Sequence, residues 1–355
     1  MKKVGILTFH EGFNHGGFFQ AFFLQCAVER LGYEVLILNY KHPSHWISEN
    51  LSQFWLLSPT RVLQNFRKRV AFRRDQGSLK VWPRNLTFRT RKIGRFSRRL
   101  DGIVVGSDIV WDFDYRSTGK GSLYFGQGLE PMDALVSYAA SMGRSRGPVP
   151  HYAASGLRRF GRISVRDANT QALVQAAVQR LPEKVLDPTM LLPIESLKMP
   201  LYSGRTLPER YLLVYAYYIP RAWIPAIETF ARSRGLSIVI TGYHQPIAGI
   251  DAVDLGPFDW LQAVKGADFV VTSTFHGTIF SVLTNKRFIT IGNDGISNKA
   301  RSLLKDLDLE DRYFETRFDA KVLEDGVDWG AVRARLLTMR ATSLGFLTKA
   351  LQVSP

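Results

Sequence analysis

The sequence predicts an α/β protein of two Rossmann-like, doubly wound domains facing a cleft, and three observations predict it. Short, continuous apolar runs alternate with helical patterns in two successive series. A stretch at 193–210, with Pro193, Pro200, Pro208, Ser203 and Gly204, separates the series and reads as a linker. A length of 355 residues suffices for two domains that each bury a core.

In the first series, VGILTF and EVLILNY read as buried parallel strands. Between them Gly16 and Gly17 open a helix running to about Leu31, with Gly32 as its stop signal. Residues 46–60 are rich in Trp, Leu and Phe. Residues 61–99 then carry fourteen Arg or Lys against Asp75 alone, so +13 of the chain's net +16 falls in this segment. Arg and Lys are good helix formers, and Val62, Phe66 and Val70 recur at helical spacing, so the segment predicts one or two helices. Strands at 102–105 and 134–139, a helix near 150–160, a strand at 163–165, a helix at 168–181 and a strand near Val185 complete the series.

The second series runs through strand 211–215, helix 221–234 with Gly235 after it, and strand 236–241. Helix 258–265, strand 269–272, helix 276–284 and strand 288–291 follow. A long amphipathic helix at 329–351 is expected to pack back across the first domain. The domains are therefore drawn as 1–195, with a returning helix at about 335–355, and 196–334.

Hydrophobic residues at 45% and charged residues at 22% describe a globular chain rather than a disordered one. A single cysteine, Cys26, excludes an internal disulfide framework and fits a reducing compartment. The N-terminal MKKVGILTFHEG has too short an apolar run for a signal peptide and reads as the first strand. No run approaches the roughly 18 apolar residues of a membrane span. The expectation is a cytoplasmic protein, peripheral at the inner face of the cytoplasmic membrane. The basic segment interleaves its cations with Phe66, Phe72, Trp82, Phe88 and Phe96, a pattern that suits an anionic bilayer or single-stranded nucleic acid. A solvated face with no partner is the plainer alternative.

Ligands of open parallel sheets bind beyond the carboxyl ends of the strands. The polar residues at those ends are 14–17, 106–108, Ser141 and 273–276. At these positions the sequence resembles the polysaccharide pyruvyl transferase family. The resemblance is carried, in order, by GILTFHEGFNHGGFFQAFFLQCAVERLGYEV, DGIVVGSDIVW, VSYAASMG, ISVRDANTQALV, VLDPTMLL and ADFVVTSTFHGTIFSVLTNKRFITI followed by NKARSLLKDL. Ile109 stands where the family usually has Gln, His15 where Tyr is common, and Thr274 where some members have Arg.

The resemblance implies a glycosyltransferase-B-like fold, phosphoenolpyruvate as donor and a pyruvate ketal formed on sugar hydroxyls, with no cofactor and no metal. It implies a glycan or lipid-linked acceptor, which favours an anionic membrane over nucleic acid as the partner of residues 61–99. The reaction needs an acid for C3 of the enol phosphate, cations for its phosphate and carboxylate, and a group for the acceptor hydroxyl. His276, beyond a strand at a helix N-terminus, is the expected acid, and Asp108 the group orienting or deprotonating the acceptor. Arg166, Ser273, Thr274 and Lys299 are expected on the donor. The alternatives are an ion pair with Asp167 or Asp187 for Arg166, helix capping for Ser273 and Thr274, and a solvated role for Lys299. Asn14, His15, Gly16, Ser107 and Trp111 are expected on the acceptor side, with core packing the alternative for Trp111. Two other functions stay open. A nucleotide-sugar glycosyltransferase would need an acid for the ribose, for which Glu310 is the candidate; a non-catalytic basic binding module would not need His276.

Overall fold

A computed structural model describes residues 1–51, 59–114, 122–132, 134–200, 202, 205–293, 296–316 and 319–352. The first sheet contains β1 (Lys3–Leu7), β2 (Glu34–Tyr40), β3 (Val81–Thr87), β4 (Gly102–Val105), β5 (Leu135–Ala140), β6 (Arg162–Val165) and β7 (Glu183–Lys184). The second contains β8 (Tyr211–Tyr215), β9 (Ser237–Thr241), β10 (Ile250–Ala252), β11 (Phe269–Thr272), β12 (Arg287–Ile291) and β13 (Tyr313–Phe314). Their orders are β3-β2-β1-β4-β5-β6-β7 and β10-β9-β8-β11-β12-β13. Every pairing is parallel. The two orders repeat one winding, so each sheet reverses direction once, between β1 and β4 and between β8 and β11. Those are the switch points at which such sheets bind ligands.

The helices are α1 (His15–Arg30), α2 (Pro43–Leu51), α3 (Pro59–Gln76), α4 (Thr90–Ser97), α5 (His151–Leu157), α6 (Ala168–Val178), α7 (Ile224–Ser233), α8 (Pro257–Gly266), α9 (Phe275–Leu283), α10 (Ser297–Leu307), α11 (Lys321–Glu324) and α12 (Trp329–Leu351). Among the described residues no helix is long and apolar enough to cross a membrane.

The basic segment forms two helices, α3 and α4, as its spacing predicts, but departs from that expectation between them. Between α3 and α4 the chain forms β3, VWPRNLT, the edge strand beside β2. An edge tolerates Pro83 and charged side chains because one row of its backbone groups needs no strand partner. β10, β13 and the helix α10 likewise lie outside the expected elements.

α1 explains how the domains join. Asn14 caps it, its side-chain oxygen accepting from the Gly17 N–H at 3.0 Å. Most of the helix's residues are buried, on every face, as in a helix enclosed by protein. Phe19 meets Phe280 at 4.9 Å and Phe18 meets Phe258 at 5.3 Å, both from the second domain. One core therefore crosses the interface. Polar contacts reinforce it: Asp75 accepts from the Phe258 N–H at 2.9 Å, and Arg74 reaches Asp259 at 2.9 Å. The C-terminal half of α12 returns to the first domain. There Phe346 packs on Tyr138, the Ser343 hydroxyl accepts from the Leu186 N–H at 3.0 Å, and the Tyr33 hydroxyl donates to the Leu351 carbonyl at 3.1 Å.

Candidate active site

Both switch points open on one place. After β11, the Thr274 hydroxyl accepts from the Gly277 N–H at 2.9 Å and starts α9, which puts His276 in the first turn. After β1, Asn14 starts α1 and puts Gly16 in its first turn. The two turns abut: a Cβ on Gly16 would lie 2.0 Å from His276 Nδ1. Only glycine permits that approach. The site thus brings together two helix N-termini, each with a partial positive charge that favours an anion.

A chain of charges runs from this junction into the first domain. His276 Nε2 lies 3.7 Å from Asp187 Oδ2, and the imidazole side chain keeps 11% exposure. Nε2 is buried with no hydrogen-bond partner. Asp187 in turn accepts from Arg166 at 2.7 Å, and the same guanidinium donates to Asp108 Oδ1 at 3.2 Å. Burial opposes ionisation of Asp187, but His276, Arg166 and the Thr189 hydroxyl outweigh it and hold this carboxyl well below the usual range. Burial also opposes ionisation of Asp108, and Arg166, His276 and Lys299 again prevail, so its carboxyl is held low. Asp108 accepts from Arg166 and from the Ile109 N–H through Oδ1, which leaves Oδ2 for another donor.

Lys299, in the first turn of α10, faces the Phe275 ring at 5.7 Å, and Arg166 faces the same ring at 5.1 Å. Burial, with Arg166 adding to it, pushes the Lys299 ammonium down to about 8. No carboxylate lies within ion-pair distance of it among the described residues. A cavity of about 370 Å³ adjoins this group, walled by Arg166, Asp187, Phe275 and Lys299 on one side and by Met190, Leu303 and Met339 on another.

Several sequence-based assignments need correction. Arg166 does not present an unpaired charge; it is the clamp between Asp187 and Asp108. Thr274 is the cap of α9, and the Ser273 hydroxyl accepts from the Tyr218 N–H at 3.2 Å. Ser107 is buried, its hydroxyl donating to Gln20 at 3.1 Å. Trp111 is a core residue: it is fully buried, stacks on Phe125 and donates its indole N–H to the Tyr124 carbonyl at 2.8 Å. His15 is fully buried as well, 5.0 Å from Trp260 and 4.8 Å from Phe72. Burial, helped by Lys68, pushes its imidazole well below the usual range, so it is neutral and its Nε2–H donates to the Leu255 carbonyl at 3.0 Å. Glu310 lies in a separate depression with Asp308, Asp311 and Arg335. His276, Gly16, Asp108 and Lys299 remain grouped, with Asn14 beside them.

The rim holds residues that the sequence reading passed over. The Asn14 amide donates to the hydroxyls of Tyr217 at 2.8 Å and Tyr243 at 3.3 Å, and these rings stand 4.1 Å apart. Tyr217 and Tyr218 are 53% and 56% exposed. Lys68 of α3 donates to the Gly242 carbonyl at 2.7 Å and faces the Tyr243 ring at 5.2 Å. Burial pushes its ammonium down to about 8. The available signal was the pair Tyr217-Tyr218 just past a strand, at the same carboxyl edge as His276.

Two doubly wound parallel sheets that face each other across residues from both switch points define a two-domain, glycosyltransferase-B-like fold. The chain belongs to the polysaccharide pyruvyl transferase family, whose family model matches residues 14–295. Similar solved structures share the fold at low identity. The UDP-GlcNAc 2-epimerase of Methanocaldococcus jannaschii superposes with a TM-score of 0.51 at 11% identity, covering 95% of this chain and 99% of its own. The S. aureus MnaA–UDP structure gives 0.50 at 11%, covering 97% and 91%. The UDP-GlcNAc 2-epimerase of Neisseria meningitidis bound to UDP-GlcNAc gives 0.50 at 9%, covering 100% and 95%. No curated protein sequence matches the chain.

Proposed function

We propose that this transferase moves pyruvate from phosphoenolpyruvate onto two hydroxyls of a sugar in a surface glycan or its lipid-linked precursor, forming a pyruvate ketal. The observation that carries this reading is the abutment of His276 and Gly16, which joins two anion-favouring helix ends beside a buried imidazole whose Nε2 has no hydrogen-bond partner and lies 3.7 Å from Asp187. His276 gives its proton from Nε2 to C3 of the enol phosphate, which turns C2 into an electrophile. An acceptor oxygen bonds to C2, the C2–O bond to phosphate breaks, and phosphate leaves with the electron pair and takes up the acceptor's proton. A second hydroxyl then closes the ketal, and its proton restores the His276 imidazole.

Lys299 supports the donor's anionic groups as a point charge. Asp108, held ionised, is a weak base, so it acts chiefly by accepting a hydrogen bond from the acceptor hydroxyl and aligning it. Tyr217 and Tyr218 at the rim supply faces for a sugar ring. Asp187, 3.7 Å from Nε2, keeps the imidazole oriented. The acceptor is carried at an anionic membrane on the cytoplasmic side, which the basic residues outside the cleft would meet.

The test combines calorimetry with phosphate release. The protein should bind phosphoenolpyruvate, and should release phosphate only when a galactose, mannose or glucuronate glycoside is present. Failure to bind the donor would reject the reading.

A further inference from the structure

The structure divides the basic segment into two populations. On α3, Lys68, Arg69 and Arg74 turn toward the domain interface, where they meet Gly242, the Phe13 ring and Asp259. On α4 the cations have no such employment. Arg98 pairs with Glu130 at 2.9 Å, whereas Arg89, Arg91, Lys92, Arg95 and Arg99 meet no carboxylate among the described residues. These five line one cavity of about 610 Å³, and its remaining wall is the stacked pair Trp82 and Phe96, with ring centroids 3.4 Å apart.

Five like charges around one concavity repel each other in the free protein, and no acid in the lining offsets them. A multiply charged anion would relieve that repulsion and take bidentate contacts from the guanidinium groups. The side chains beside the cavity are apolar and partly exposed. Phe88, next to Arg89, is 42% exposed and meets Trp46, 38% exposed, edge-on at 6.0 Å. Aromatic rings beside arginines suit the boundary between headgroups and acyl chains.

We infer that the α4 cavity is a discrete site for the phosphate headgroup of an anionic membrane lipid, with Trp46 and Phe88 entering the interface beside it. This goes beyond a diffuse basic surface, because it assigns binding to one cavity and to a phosphate-bearing group. It does not depend on the chemistry in the cleft.

The experiment titrates the whole protein with inorganic pyrophosphate and, separately, with vesicles of phosphatidylglycerol or of phosphatidylcholine. Each cation near a charged surface contributes about fivefold, so Arg91→Ala/Arg95→Ala should weaken both pyrophosphate and phosphatidylglycerol binding by about twenty-fivefold. The equally exposed pair Arg67→Ala/Arg73→Ala should change pyrophosphate binding by less than about twofold. Trp46→Ala/Phe88→Ala should weaken vesicle binding and leave pyrophosphate binding intact. Circular dichroism checks that each variant is folded. Equal losses from the α3 and α4 pairs would overturn the discrete site, as would no binding of pyrophosphate. Pyrophosphate binding without vesicle binding would overturn the lipid and assign a soluble polyphosphate. Displacement of pyrophosphate by single-stranded DNA, with affinity growing with strand length, would assign the cavity to nucleic acid instead.

Discussion

In the cleft, the Arg166 side chain is 1% exposed and divides its guanidinium between Asp187 and Asp108; on α4, Arg91 and Arg95 stand in solvent with no carboxylate near them among the described residues. The same residue type therefore has opposite meanings. A buried guanidinium is present because a buried carboxylate, Asp187, and a partly buried one, Asp108, require it, and removing it would strand Asp187. An exposed, unpaired one holds nothing in the protein together, so its worth has to come from outside the chain. Arginine content alone does not separate the two cases; partner and depth do.

The largest effect expected belongs to the cleft. His276→Ala should lower turnover by a factor of about 10² to 10⁴ in a phosphate-release assay, with an unchanged circular dichroism spectrum. Near wild-type turnover would remove the proton-donor role and with it the contrast between a reacting cleft and a docking face.

Next comes Arg166→Met, which leaves the buried Asp187 and the partly buried Asp108 without the guanidinium that joins them. Breaking a buried pair in this way costs about 3–5 kcal/mol, read from urea unfolding. The matching change on the outer face, Arg91→Ala, should stay within about 0.5 kcal/mol of wild type. If both variants lose the same stability, the comparison of regions is wrong.

Gly16→Ala sharpens the point at a single methyl group. Its Cβ would fall 2.0 Å from His276 Nδ1, so the ring or α1 must move; turnover should fall by about 10² and stability by about 1–3 kcal/mol. Gly17→Ala is the internal control. Its nearest neighbour outside the helix backbone is the Asn14 Cβ at 3.8 Å, an ordinary contact, so activity should be kept.

These positions differ in how far the sequence disclosed them. GIVV, FVVT and YLLVY announced buried strands because they are apolar without interruption, and the polar residues just past such runs had to lie at the carboxyl edge. Asp108 and His276 were legible for that reason, as was the two-domain fold. What the sequence could not convey was pairing over distance. Arg166 finds Asp187 21 residues away and Asp108 58 away. His15 and Trp111 looked like strand-end residues, yet Trp260 and Phe125 close over them. VWPRNLT looked helical because its cationic surroundings are helical, and only pairing with β2 makes it a strand. Tyr217 and Tyr243 meet across a stretch that no local pattern joins.

The smallest effect expected is one of pH, and it tests whether Lys299 belongs with the buried or the available cations. Its ammonium is pushed down to about 8 by burial, against about 10.4 in an unfolded chain. Between those values the unfolded state holds more protons than the folded one, so stability should rise with pH across that window. Donor binding has the opposite sign. A phosphate beside Lys299 favours the charged form, so affinity for phosphoenolpyruvate should be flat below about pH 8 and fall by up to about tenfold per unit above it. Lys299→Met should abolish both slopes together, as followed by calorimetry for binding and by urea unfolding for stability. A variant that removed the stability slope and kept the binding slope would mean that Lys299 is buried for packing alone and that another cation receives the donor.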